Sequence, residues 1–162
     1  MDRTFVIQPQ SGLQYDWQAI AANPQGNHAP QMDIVAYKAL YINMIAQARA
    51  HGQEPVLVSL PVLDENRFFA YITRGMSMSE RRNLFYWLGG STSRLRDLHE
   101  MYNLALFRLA AVQCVPLVDI TSPMLACARP GELLAEDGIS LSSAGRSLVE
   151  SVLAKAQAHA VA

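Results

Sequence analysis

The sequence predicts a single α/β domain on a short, mostly parallel sheet, and three observations carry that prediction. Apolar runs stand at residues 4–8, 55–60 and 115–119. Segments of helical periodicity separate and follow them. Helix-linked apolar strands favour parallel pairing with right-handed crossovers. The third observation is composition: 51% hydrophobic and 17% charged residues in 162 describe one globular domain with a real core.

The elements follow in order. The first strand, residues 4–8, stops at Pro9. Residues 10–31 are punctuated by Gly12, Asn23-Pro24, Gly26-Asn27 and Pro30, with room for a short helix at 17–22. A connection this long is uncommon unless it is functional or displaced. Asp33 is placed to cap a helix running to His51, with Ile34, Tyr37, Leu40, Tyr41, Met44, Ile45 and Ala48 as its apolar stripe. Gly52 ends it. Residues 55–60 are almost continuously apolar, as in a central strand covered on both faces.

Phe68, Phe69 and Tyr71 suggest a helical turn inside residues 63–78. Ser79 or Glu80 opens a short helix that Gly89-Gly90 closes. Ser91 to Ser93 offer a cap for a long helix over 94–112, with Leu95, Leu98, Met101, Tyr102, Ala105, Leu109 and Val112 facing inward. The strand at 115–119 ends in Asp119, at the strand end where open α/β sheets bind ligands. A short helix near 122–127 follows, and Pro130-Gly131 breaks it. Ser142 or Ser143 then caps the last helix, with Leu148, Val149, Val152 and Leu153 as its stripe. Three strands are few for an open sheet, so an exposed edge available to a second copy is expected.

Charge and motifs exclude several function classes. The formal net charge is −1 and no Lys/Arg run tracks a phosphate backbone, so no nucleic-acid partner is expected. No apolar run is long enough to span a bilayer, and no membrane partner is expected. Cys114 and Cys127 belong to no CxxC pair or zinc cluster; Cys114 reads as a core thiol and the cytoplasm as the compartment. No metal and no cofactor are expected.

Four places carry potential chemistry. Asp137-Gly138-Ile139-Ser140 offers a carboxylate in a tight turn, with a hydroxyl three residues on that cannot serve as a base near neutral pH. Asn27, in Gln25-Gly26-Asn27-His28, has an amide suited to an oxyanion, and the adjacent His28 is a possible base. His99 lies beside the apolar stripe of its helix, where a structural histidine is the commoner role. Ser11 and Ser59 are the serines that would need such a base, although Ser11-Gly12 does not form a GxSxG elbow.

Taken together, these pieces resemble the SGNH (GDSL-like) hydrolase family over about residues 26–158. Gly26-Asn27-His28 resembles its Gly-x-Asn-Asp block, and residues 134–145 its final Asp-Gly-x-His block. Tyr102-Asn103 and the strand at 115–119 resemble the elements before that final block. The resemblance implies a flavodoxin-like three-layer α/β/α fold and hydrolysis of small acyl or carbohydrate esters. It also implies an oxyanion role for Asn27 and a catalytic place for Asp137.

The departures from the pattern are specific. No Gly-Asp-Ser nucleophile block precedes Thr4, and Ser140 stands at the histidine position. The expectation is therefore one domain over 1–162, shortened at its N-terminus, with hydrolysis lost or severely impaired. Two alternatives stay open: a non-catalytic module that binds an ester, a sugar or a second copy, and a working serine hydrolase with a rearranged site using His28 or His99.

Overall fold

A computed structural model describes residues 3–161, with side chains through 158. Three strands and seven α-helices alternate among them. The order is β1 (Thr4–Ile7), α1 (Trp17–Ala22), α2 (Ile34–Ala50), β2 (Glu54–Val58), α3 (Glu65–Ile72), α4 (Met78–Trp87) and α5 (Ser93–Val112). Then come β3 (Leu117–Val118), α6 (Thr121–Ala126), a 3-10 turn (Pro130–Leu133) and α7 (Ser143–Val161).

The sheet is parallel throughout, in the order β1-β2-β3. Its register pairs Val6 with Val56, Ile7 with Leu57, and Leu57 with Leu117. Alternation along each strand sends side chains to opposite faces. On one face Phe5, Ile7, Leu57 and Leu117 pack with Tyr41 and Ile45 of α2 and Leu106 and Leu109 of α5. On the other, Val6, Val58 and Val118 pack with Val149, Val152 and Leu153 of α7. The result is three layers, α/β/α, around a short open sheet.

Local signals set most boundaries. The Asp33 carboxylate accepts from the Ala36 amide at 2.8 Å and starts α2. Ser142 Oγ accepts from the Gly145 amide and starts α7. Ser77 and Glu80 form a reciprocal capping box, so α4 begins at Met78, ahead of the expected Ser79 or Glu80. The helical turn expected within residues 63–78 is a full helix, α3, because the Asp64 carboxylate caps it at the Arg67 amide. No side chain caps α5 at Thr92; Ser91 Oγ accepts from the Ser93 amide instead.

Several burial expectations are corrected. Leu40, Met101 and Val112 are exposed, because a single sheet and its neighbours cover a narrower arc of α2 and α5 than the apolar stripes span. The covered arc of α5 takes the polar His99 and Asn103, both nearly fully buried. Cys114 is an exposed, free thiol: it sits in the left-handed turn (φ 53°) between α5 and β3 rather than in the core. Cys127 is also exposed and free.

Candidate functional site

The strand ends on one side of the sheet face a cleft of about 740 Å³. Carboxyl ends of parallel strands are where open α/β sheets hold ligands. The segment leaving β1 forms one wall, and its backbone is clamped. The Tyr37 hydroxyl donates to the Gln10 carbonyl at 2.6 Å, and the Gln10 amide donates to the Tyr41 hydroxyl at 3.1 Å. The rings of Tyr37, Tyr41 and Tyr102 stack edge to face behind it. Burial pushes the Tyr102 phenol up to about 12, so it stays protonated and donates to the Met32 carbonyl at 2.7 Å. Gly12 lies so close to the Tyr102 ring that a Cβ there would come within 2.1 Å of it.

This clamped turn presents Ser11 to His99. Ser11 Oγ lies 2.8 Å from His99 Nδ1, and His99 Nε2 lies 2.8 Å from the Pro61 carbonyl. The carbonyl can only accept, so Nε2 carries the proton and Nδ1 accepts from the Ser11 hydroxyl. The Leu13 amide also donates to Ser11 Oγ at 3.2 Å. Burial depresses the His99 pKa, an effect only partly opposed by the Pro61 carbonyl and Glu100. The imidazole is thus neutral and well oriented, but a weak base with no carboxylate behind it.

The loop that follows the 3-10 turn closes the opposite wall through Ile139, Ser140 and Leu141. Asp137 Oδ1 accepts from the Ile139 and Ser140 amides at 3.1 and 2.8 Å, and Oδ2 accepts from the Ser140 hydroxyl at 2.6 Å. Burial raises the Asp137 pKa, but these hydrogen bonds outweigh it and the net shift is downward. The loop is docked on α3 through the Asp64 amide, which donates to the Gly138 carbonyl at 2.9 Å. Arg67 Nη1 donates to the carbonyls of Gly131, Leu134 and Ala135 and holds the approach to the loop.

Ser59, Asn103, Asp119 and Thr121, none of which lines the cleft, tie the ends of β2 and β3 together. Asn103 Oδ1 accepts from the Leu60 amide at 2.9 Å, and Ser59 Oγ accepts from the Ile120 amide at 2.8 Å and donates to Asp119 at 3.2 Å. Burial raises the Asp119 pKa, but hydrogen bonds from Ser122, Ser59 and Thr121 bring it below the ordinary carboxylate value. Among the described residues, no buried side-chain polar atom lacks a partner and no cluster of acidic, His or Cys side chains is arranged for a metal.

Of the residues singled out from sequence, Ser11, His99 and Ser140 line one cleft, and Asp137 holds Ser140. Asn27 and His28 lie in the loop after α1 and do not line it. There His28 Nε2 donates to the Asn23 carbonyl at 2.6 Å. His51 turns to the Gln47 carbonyl. Ser59 is buried in the network that joins the strands. Sequence reasoning missed the cleft's aromatic and amide lining, contributed by Gln10, Gln14, Tyr15, Trp17 and Gln31. The available signal was position: these residues leave the carboxyl end of a strand through an unusually long connection.

No family model matches the chain, and no curated protein matches it. Solved structures do. A lipase/acylhydrolase from Enterococcus faecalis superposes with a TM-score of 0.51 at 17% identity, over 85% of this chain and 56% of the other. A GDSL-like lipase from Bacteroides thetaiotaomicron VPI-5482 superposes with a TM-score of 0.53 at 14% identity, over 86% of this chain and 58% of the other. The chain shares the α/β fold of these two structures, and it spans 56–58% of their length.

Proposed function

We propose that the chain binds a small ester or sugar in the cleft beneath Ser140 and turns it over slowly or not at all. The observation that carries this reading is the state of Asp137. Its carboxylate is occupied by Ser140 Oγ and two backbone amides, so it orients no imidazole. Of the described histidine side chains, His28, His51 and His99 hydrogen-bond elsewhere. A cleft with a hydroxyl in place of the expected base keeps its binding surface and loses general-base assistance, a contribution of about 10²–10⁴-fold. The exposed thiols of Cys114 and Cys127 favour a reducing compartment, which supports the cytoplasm. Among the described residues, no helix is long and apolar enough to cross a membrane.

A second reading has its own observation, the 2.8 Å contact between Ser11 and His99. In that reading Ser11 is the nucleophile, His99 Nδ1 takes its proton, and the Pro61 carbonyl orients the ring. Short-chain nitrophenyl esters separate the two. The binding reading expects no turnover above buffer that a covalent serine inhibitor removes. Inhibitor-sensitive turnover that disappears in both Ser11→Ala and His99→Gln would overturn it in favour of the Ser11–His99 pair.

A further inference from the structure

The cleft is chemically one-sided. Four glutamines, Gln10, Gln14, Gln18 and Gln31, line it, and among the described residues no carboxylate does. Arg74 is its single charged lining residue among those described. Arg74 stands at the end of α3, where its guanidinium carbon lies 3.7 Å from the centre of the Tyr71 ring. The ion pairs of the described residues involve Arg67, Arg96 and Arg129, so no carboxylate neutralises Arg74. A guanidinium carbon this close to a ring is a cation–π contact, which uses the face of the group and leaves its N–H donors to match a carboxylate bidentately. Side-chain amides donate and accept at once, as vicinal hydroxyls require. Aromatic rings, here Tyr15 and Trp17, offer flat apolar surface to the C–H face of a sugar ring.

We infer that the cleft selects a carboxylate-bearing saccharide, a uronic acid unit, with Arg74 receiving the carboxylate and the glutamine amides the ring hydroxyls. This rests on the reading of the cleft as a binding site and names the ligand class for it. The positive charge of Arg74 and the lack of any lining carboxylate together disfavour cationic ligands and leave neutral sugars without a partner for Arg74.

Trigalacturonate and its fully methyl-esterified, uncharged counterpart share one ring skeleton and differ at the group assigned to Arg74. Titration of the full chain, followed by amide and indole NMR shifts in low salt, is expected to show the acid binding about tenfold more tightly than the ester. Arg74→Gln is expected to bring the two affinities together, and added salt to narrow the gap. Because Arg74 is exposed and bonds to no buried group, the variant's unchanged spectrum outside the cleft serves as the folding control. Equal affinities for acid and ester, or a preference that survives in Arg74→Gln, would overturn the uronate assignment while leaving a sugar-binding cleft standing. If neither ligand shifts resonances of cleft residues, both the assignment and the sugar-binding reading fail.

Discussion

His99 shows how one residue couples the cleft to stability. Its side chain is 1% exposed and lies between Ser11 and the Pro61 carbonyl. Burial holds its folded pKa below the ordinary value of 6.5. Above pH 6.5 both folded and unfolded chains carry it neutral, and its contribution is complete. Below that value the unfolded chain takes up the proton first, so stability falls by up to about 1.4 kcal/mol per pH unit until the folded pKa is reached. The lowered carboxyl pKa values of Asp119 and Asp137 act in the same direction, but only as the pH falls to about 4 and below. Urea midpoints are expected to drop from pH 7.5 to pH 5 in the parent chain and to drop less in His99→Gln. Parallel curves for the two proteins would show that His99 does not titrate as its burial requires.

At the scale of elements, the Asp137 loop is where backbone geometry leaves least freedom. Gly138 has φ +73° and faces the Asp64 carbonyl and the Phe68 amide, each 2.7 Å from where a Cβ would stand. Both neighbours are backbone at the start of α3, so neither can swing aside. Gly138→Ala is expected to cost about 1–3 kcal/mol from left-handed strain and crowding together. Thermal unfolding checks the magnitude, and undisturbed stability would mean that the loop is not docked on α3 as described. This constraint explains why an Asp-Gly pair stands here independently of any catalytic use. Asp137 closes the turn on Ser140 while Gly138 lets it lie against α3.

For the whole molecule, the question is the open side of the sheet. Among the described residues β1 pairs only with β2, and α7 is the helix that packs on the Val6, Val58 and Val118 face. Beside α7 a second, larger hollow of about 1020 Å³ is lined by Val6, Val56, Val118 and Leu153 together with Arg3, Arg49 and Glu54. A short open sheet with apolar side chains at this hollow offers a surface for another chain. A second copy is the expected occupant, since an edge-to-edge pair extends one sheet across two chains. Light scattering across micromolar concentrations is expected to give a dimer mass or larger, and a monomer throughout would contradict this.

How much was legible in the sequence differs by feature. The three apolar runs, the Asp33 and Ser142 starts, and the tight turn at Asp137-Gly138 are local signals. Each depends on residues within a few positions of one another, and each is found in the structure, although the run at 115–119 pairs only at Leu117–Val118 and the run at 55–60 pairs over Glu54–Val58. The N-cap of α3 at Asp64 was equally local, but aromatic crowding around Phe68 obscured it. What tertiary structure alone decided is the meeting of groups distant in the chain. Ser11 and His99 are 88 positions apart and touch because two tyrosines clamp Gln10 while β2 delivers Pro61 to the far side of the ring. Arg74 enters the cleft beside glutamines from the β1 exit for the same reason. The sequence by itself determined the elements and the Asp137-to-Ser140 turn. Packing determined which side chains share the cleft, because hydrophobic periodicity states that a face is buried but not what it is buried against.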